Sequence, residues 1–410
     1  MHSTPVDPQR NVLMLGTFGL RPKATLRYRA LAVARTLSSN DWSFRLMTTP
    51  WDHPADSGKR QVIDDIPVTN TRASHPIAFP LASGEMIWSG HRSRSDLIHV
   101  FKPKGFGDIA ARWLRHGSPV VVDMDDWEGD GGWNEIGGYG SLQRHIFNWQ
   151  ERTWPRQADA LTVASRELER RALTLGAPPD RVHYVPNGLT RDRFEELATA
   201  NTIRAESREA RNPLSATPWI LLYTRFIEFD PIIVVRVLSA IREAFPNTKL
   251  LVVGASANGA AEVAVRAAAG QAGLSDCIRW HGWADPTEVA ALAASCDVAI
   301  HPFDDNNVNR AKCSVKLLEL LATGIPVVTT RVGENASFVV DEVSGLLSPP
   351  GEPTAIARSV IQLLRDPSLG YRIGKAAQER VSTEFLWDQL APRVANAYVR
   401  ALEARKAKAR

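Results

Sequence analysis

The sequence predicts a two-domain α/β protein, each domain a parallel sheet with helices on both faces. Three observations carry this reading. The chain has 410 residues, more than one hydrophobic core ordinarily serves. Short apolar runs alternate with longer segments of helical period along the chain, the pattern of strands joined by crossover helices. The alternation breaks in a charged stretch from Arg191 to Ala216 that ends NPLSATP and reads as helix plus linker, then starts again.

Taken in order, NVLMLGTF (11–18) reads as a buried strand, YRALAVARTLSS as a helix and FRLMTTP as the next strand. DLIHVF (96–101) and PVVVDM (119–124) are strands with IAARWLRHG as the crossover helix between them, and ALTVAS (160–165) and RVHYVPNG (181–188) complete the first half. The second half offers strands in WILLYTRF (219–226), KLLVVG (249–254), IRWHGW (278–283), DVAIHPF (297–303) and IPVVTT. Its helices run through VVRVLSAIREAF, a long Ala-rich segment, EVAALAASC, VKLLELLATG and TAIARSVIQLLRD. The expected boundaries are 1–205 for the first domain, 206–384 for the second, and 385–410 for a C-terminal helix packing back on the first domain with a basic tail. In such sheets ligands gather at the carboxyl ends of the strands, so tandem units imply a cleft between two such edges.

Composition narrows the class without naming it. Forty-nine Lys and Arg against 45 Asp and Glu leave a net charge of +4, too mild for a nucleic-acid-coating protein, and the basic residues divide evenly between the halves. The first fifty residues, with seven Arg or Lys and two Asp, and the tail ARKAKAR suit phosphates or an anionic membrane surface, or are a solubilising excess. Arg21, Lys23 and Arg27 in LRPKATLRYR share that ambiguity. Cys277, Cys296 and Cys313 have no metal-ligand spacing, so a reducing cytoplasm is the expected location. There is no unbroken apolar run of membrane-spanning length and no signal-peptide core.

Two segments carry candidate chemistry. In VVVDMDDWEGDGGW (120–133) an apolar run stops at Asp123, Asp125 and Asp126. That arrangement reads as a divalent-metal site, an acid/base site or a solvated loop. The glycine-rich EGDGGWNEIGGYG that follows has the composition of a flexible loop, and Trp127, Trp133 and Tyr139 offer flat faces on which sugar rings stack. Lys102 and Lys104 in VFKPKGFG are candidate ion-pair partners for the three acids. The second segment is NRAKCSVKLLELLATGIPVVTTRVGEN. Leu317, Leu318, Leu320 and Leu321 are apolar at helical spacing, Gly324 caps and Pro326 stops the helix. Glu319 therefore sits in the middle of a helix that otherwise buries itself. A buried carboxylate needs hydrogen-bond donors: sugar hydroxyls on one reading, Lys316 one turn earlier on another.

The run LLELLATGIPVVTTRVG, with VVDEVSGLLSPPGEPTAIARSVIQLLRD after it, resembles the donor-binding region of family 4 glycosyltransferases, enzymes of the GT-B fold with two Rossmann-like domains. GTFG, ADALTVASRELERRALTLGAPPDRVHYVPNG, LLYTRF, LLVVGAS and IRWHGWADPTEVAALAASCDVAIHPF extend the resemblance in order over about residues 11–390.

The resemblance implies transfer of a sugar from a nucleotide diphosphate sugar to an acceptor hydroxyl with retention of configuration, with no metal ion and no other cofactor. UDP ranks ahead of GDP, and the acceptor is a sugar, a lipid-linked glycan or a small aglycone. Carried over residue by residue, it puts Glu319 on the nucleotide ribose and Arg225 on the diphosphate. Lys312, Ser314, Val315 and Lys316 lie in the loop and helix start facing the diphosphate, with Cys313 among them. Gly16, Gly19, Gly254 and Gly282 fall where backbone approaches the donor, and Glu334 touches its phosphate or ribose or simply begins the next helix. On the acceptor side, Asp125 or Asp126 takes or orients the acceptor proton, with Lys102, Trp127, Trp133 and Tyr139 around it. His281 and His301 stand at strand ends and read as structural. The metal-holding Asp-x-Asp belongs to a different, single-domain architecture, which moves Asp125 and Asp126 from metal ligands to acceptor-side groups. Two departures stand out: Ala311 occupies the place of the first of the family's paired glutamates, and Asp230 that of a phosphate-binding lysine. They motivate a rival expectation, a nucleotide-binding partner subunit without turnover. A GT-B epimerase or phosphorylase is the other, although no signature of either is present.

Overall fold

The computed structural model describes residues 9–21, 25–38, 41–72, 79–209 and 217–409; Lys23 and residues 210–216 of the expected linker lie outside the described residues. Contacts divide the chain into two units. The first comprises residues up to Gly188, Ala311–Cys313 and Trp387 onward, and the second Leu189–Arg310 with Ser314–Leu386.

The first unit is built on an eight-stranded sheet of β1 (Arg10–Gly16), β2 (Trp42–Thr48), β3 (Arg60–Ile63), β4 (Ile66–Asn70), β5 (Leu97–Phe101), β6 (Val120–Met124), β7 (Ala160–Val163) and β8 (Val182–Tyr184), in the order β3-β4-β2-β1-β5-β6-β7-β8. All neighbours are parallel except the β3–β4 hairpin. β5 and β6 are buried along their whole length, which is why they read as continuous apolar runs and not as alternating ones. Elements with no counterpart in the sequence reading include β3, β4 and the helices Phe79–Ser93, Ser141–Gln157 and Arg166–Thr174. The exposed pattern of β3 and the Pro67 inside β4 weaken the strand signal there.

The C-terminal helix Trp387–Ala409 belongs to the first unit. Its Leu390, Ala391, Val394, Ala397, Tyr398 and Ala401 are fully buried at helical spacing and pack with Trp42, Phe44 and Leu97. Trp387 Nε1 donates to the Tyr28 carbonyl at 3.0 Å, and the Tyr398 hydroxyl bonds to His99 Nδ1 at 2.8 Å. His99 is buried in the middle of β5, and its Nε2 has no hydrogen-bond partner. Burial pushes this imidazole down to about 4 from 6.5, with Asp123 opposing and Arg29 assisting. A depressed histidine contributes stability above its unfolded value that is lost as pH falls toward the folded one. Between pH 7 and pH 4 the parent is therefore expected to lose up to about 3 kcal/mol more than a His99→Gln variant; identical urea-midpoint profiles for the two would remove His99 from the acid response.

The second unit is a six-stranded, wholly parallel sheet of β9 (Trp219–Tyr223), β10 (Lys249–Val253), β11 (Ile278–Gly282), β12 (Val298–His301), β13 (Val327–Thr330) and β14 (Leu346–Ser348), ordered β11-β10-β9-β12-β13-β14. β14, three residues long, was not expected from the sequence. The helices Arg191–Ala198 and Ala200–Glu209 group with this unit, so the contact boundary falls at 188/189 and not at 205/206. The reason is visible in the polar contacts: Arg193 and Arg204 reach Glu319 and the carbonyls of Ala293 and Gly324.

Candidate active site

Strand order reverses between β9 and β12 in the second unit and between β1 and β5 in the first. Such switch points leave a crevice outside the carboxyl ends of the strands, and the candidate residues collect at both.

In the second unit, Ser314 caps the helix Val315–Ala322 by accepting from Leu317 N at 3.3 Å, and its hydroxyl also bonds to His301 Nε2 at 3.1 Å. His301, at the end of β12, thereby fixes the start of this helix. Four leucines and Ala322 bury the rest of it. Its N-terminal amides and partial positive charge form a ready anion seat. Val315 is the first helical residue. Lys316 places its ammonium 3.5 Å from the centre of the Tyr223 ring, at the end of β9. Arg225, two residues past β9, is exposed.

Glu319 is 2% exposed, and its partner is not Lys316. Arg193 Nε and Nη2 donate to Glu319 Oε1 at 3.0 and 2.7 Å. Arg193 is in turn held by Glu196 and by the Pro286 carbonyl, each at 2.8 Å. Oε2 accepts no hydrogen bond among the described residues. The sequence reading missed Arg193 because TRDRFEEL looks like any charged surface helix, and its partner lies 126 positions away.

The remaining donor-side candidates resolve as follows. Gly254 has φ +109° and Gly282 φ +83°. Gly254 N donates to Gly282 O at 2.6 Å, and a Cβ on Gly254 would strike the Thr224 carbonyl, so these glycines serve the turn that joins two strand ends. Glu334 is buried and leads into the short helix Asn335–Phe338. Ala311 is fully buried. The Asp230 carboxylate accepts from Ile232 N at 3.0 Å ahead of the helix Ile233–Ala244, while its own N–H donates to Asp304 at 2.8 Å; it serves the backbone in place of a phosphate. His281 lies 3.8 Å from Glu288.

In the first unit the acids of the DMDD segment and Glu128 are engaged by cations of the chain itself. Asp123 forms a bidentate pair with Arg29 at 2.6 and 2.7 Å and accepts from Thr162 at 2.5 Å, all buried. Arg29 also donates to Val185 O and Asn187 Oδ1. Asp125, Asp126 and Glu128 converge closely enough to hold a metal ion, yet the Lys102 ammonium stands among them, at 3.1, 2.5 and 3.0 Å respectively. Lys104 adds a second ammonium 2.6 Å from Glu128. Lys102 holds a left-handed backbone at φ +70°, a conformation a non-glycine residue adopts at a cost of about 1 kcal/mol or more.

Burial and the neighbouring acids, against the pull of Lys102, push Asp125 up to about 7. Glu128 is also buried, but Lys102 and Lys104 hold it down at about 2. Two carboxyls three positions apart, Asp125 and Glu128, are thus driven in opposite directions, as in sites that keep one carboxyl ionised and exchange a proton on the other.

The acceptor-side candidates are placed as follows. Lys102 is buried among the carboxylates, the ion-pair role the sequence also offered. Trp127 carries the Arg171 guanidinium 3.9 Å over its ring, and Tyr139 accepts from Lys104 at 3.0 Å with the ammonium also over its ring, so those aromatic faces have partners within the chain. Trp133 begins a short helix, Trp133–Ile136, with its N–H on the Trp127 carbonyl at 2.8 Å. The glycine-rich segment is therefore hydrogen-bonded structure and not an open loop. Gly16 and Gly19 are required by packing: an added Cβ would strike the Leu26 side chain at the first and crowd Pro50 at the second. Lys312 and Cys313 group with the first unit, where Asn187 Nδ2 donates to Cys313 O at 2.8 Å. Arg21 pairs with Asp56 at 2.7 Å, and Arg27 is exposed.

Two tandem α/β units with their candidate residues at the switch points define a GT-B protein. Solved structures agree on the fold. Sucrose-phosphate synthase from Thermosynechococcus elongatus has a TM-score of 0.75 at 18% identity, covering 96% of this chain and 100% of that one. An Anabaena protein, HepE, crystallised with UDP has a TM-score of 0.71 at 16% identity, covering 95% and 99%. Residues 25–188 match the glycosyl transferase 4-like domain and residues 206–380 match glycosyl transferases group 1. The chain belongs to the family 4 glycosyltransferases.

Among curated relatives, the D-inositol 3-phosphate glycosyltransferase of Xylanimonas cellulosilytica is 28% identical over 61% of this chain and 59% of its own length. The GDP-mannose-dependent alpha-(1-6)-phosphatidylinositol monomannoside mannosyltransferase of Mycobacterium tuberculosis is 26% identical over 58% and 61%. The chain thus spans about three-fifths of the length of the curated relatives it matches.

Proposed function

We propose that this protein transfers a hexose from a nucleotide diphosphate sugar to an acceptor hydroxyl, with retention and without a metal ion, and that it uses a UDP-sugar in preference to a GDP-sugar. The observation that carries the reading is Glu319. A carboxylate in the middle of a buried helix is held by Arg193 through one oxygen only, which leaves the other to accept from the ribose hydroxyls. The capped start of the same helix, Lys316 and Arg225 supply positive charge for the departing diphosphate, the role that a metal ion fills elsewhere. Asp125, poised near neutrality, takes or orients the acceptor proton.

Turnover of Arg225→Ala and Lys316→Ala is expected to fall about a hundredfold each, with the melting temperature unchanged; undiminished rates in both would remove these residues from the mechanism. A thermal-shift panel of nucleotide diphosphates identifies the base, because bound ligand raises the melting temperature with its affinity. Activity lost in chelator and restored by manganese or magnesium would overturn metal independence. The buried Ala311 and the backbone-engaged Asp230 favour a second reading, a partner subunit that binds nucleotide without turnover. UDP binding with no transfer to any acceptor, unchanged by Glu319→Ala, would select it.

A further inference from the structure

Two loops meet at the acceptor-side cluster. One follows β5 and carries Lys102 and Lys104; the other follows β6 and carries Asp125, Asp126 and Glu128. Each of the three carboxylates lies within 3.1 Å of the Lys102 ammonium, so the spacing of the loops sets the surroundings of Asp125. Between the two strands the backbone ladder ends with Lys102 N–H on the Asp123 carbonyl at 3.0 Å. Beyond that bond the spacing has to be held from outside the sheet.

One helix holds both loops. In Ser141–Gln157 the neighbouring residues Gln150 and Glu151 are fully buried, each at 0% exposure. Neighbours on a helix point about 100° apart, and these two reach different loops. The Gln150 amide clasps Gly105, the residue after Lys104: Oε1 accepts from Gly105 N at 2.9 Å and Nε2 donates to Gly105 O at 3.1 Å. Glu151 Oε1 accepts from Glu128 N at 2.9 Å. Its Oε2 accepts from Arg171 Nε at 3.1 Å and also from Nη2. A Cβ on Gly129 would strike that same oxygen, so the acid loop comes this close only at a glycine. The helix is itself fixed against Gly105–Leu114, where Trp154 Nε1 donates to Asp108 and Arg112 Nη2 donates to the Gln150 carbonyl at 2.9 Å.

Packing alone does not call for these residue types, since apolar side chains of similar volume in place of a buried ion pair such as Glu151 and Arg171 are often as stable or more so. What Glu151 supplies and an apolar side chain does not is an acceptor that locates one N–H of the acid loop. Nor can the two residues trade types. A carboxylate at position 150 would set an acceptor against the Gly105 carbonyl, and an amide at 151 would set its NH2 against either Glu128 N or Arg171. The loops they hold therefore select an amide at one position and a carboxylate at the next.

We propose that Gln150 and Glu151 are positioning residues for Asp125, holding the lysine loop and the acid loop at the separation its proton exchange requires. The proposal rests on the reading of Asp125 as the group that takes or orients the acceptor proton. Neither residue touches the reacting atoms; each acts through the loop it holds, where a misplacement of about 1 Å can slow a reaction a hundredfold.

The test uses the full chain labelled with carbon-13 at the aspartate carboxyls, the Asp125 signal being assigned by its absence in Asp125→Asn. The charged groups around Asp125 are Lys102, Asp123, Asp126 and Glu128, with Lys104 behind Glu128, and in the parent its titration is centred at about 7. In Gln150→Met and in Glu151→Gln the loops move apart and water enters, so the midpoint is expected to fall toward about 6, burial being the largest cause that raises it. Release of UDP from UDP-glucose is expected to slow about tenfold or more, while calorimetric titration with UDP gives parental affinity. Gln150→Met removes no charge and keeps the side-chain length, so it is expected to fold even where Glu151→Gln, which strips a partner from Arg171, is destabilised. A midpoint unmoved in both variants overturns the proposal, whatever their stability. Asp125→Asn releasing UDP as fast as the parent overturns instead the reading of Asp125 on which the proposal rests.

Discussion

Lys102→Met is expected to destabilise the first unit by about 3–5 kcal/mol at pH 7, the range for stripping one partner from a buried ion cluster. Asp125, Asp126 and Glu128 all lie within 3.1 Å of the Lys102 ammonium, and without it three carboxylates face one another with only Lys104 beside Glu128. Between pH 7 and 5 the pH dependence at this cluster is expected to steepen in the variant, because in the parent only Asp125, raised to about 7, takes up a proton over that range. In the parent, the depressed Glu128 contributes stability that is present above its ordinary value of 4.5 and lost as pH falls toward about 2. In the variant, like-charge repulsion raises the carboxyls above their unfolded values, so the cluster's contribution is restored as the pH is lowered from 7 to 5 and they take up protons. Urea unfolding at the two pH values, parent against variant, measures this. A variant as stable as the parent at pH 7 would mean that the ammonium is not what holds the acids together.

Arg193→Ala is expected to cost about 3 kcal/mol or more, because it leaves the buried Glu319 side chain without its donor, and to weaken nucleotide diphosphate binding about tenfold or more as that side chain loses its orientation. Stability alone would not separate a structural salt bridge from a ligand-positioning one. The double variant Arg193→Met, Glu319→Leu does so: removing both charges together relieves the unpaired carboxylate and should recover most of the stability, while nucleotide binding should remain lost. Calorimetric titration with UDP alongside denaturant unfolding reads both quantities. If the double variant binds UDP as the parent does, Glu319 is packing and not a ligand.

The two sides of the candidate site were not equally legible. On the donor side, helical leucine spacing around one glutamate, with Gly324 and Pro326 after it, announced a buried helix with a polar residue in its middle, all within a dozen positions. On the acceptor side the acids were visible, and so were Lys102 and Lys104, but their arrangement was not. Whether three carboxylates bind a metal, a substrate or a lysine depends on where a side chain from another strand end points, and Lys102 is directed among them by a left-handed backbone that its residue type disfavours. The cations over the aromatic rings were hidden for the same reason: Arg171 stands over Trp127 and Lys104 over Tyr139.

Local chemistry fixed the strands that are buried on both faces, since a continuous apolar run has no other stable place, and it fixed the caps and stops of the Glu319 helix. Tertiary structure alone decided the partners of the charges. Arg29 finds Asp123 across 94 positions and Arg193 finds Glu319 across 126. A buried charge accepts any correctly placed counter-charge, and what places it is the meeting of distant strand ends, which leaves no periodicity in the sequence to read.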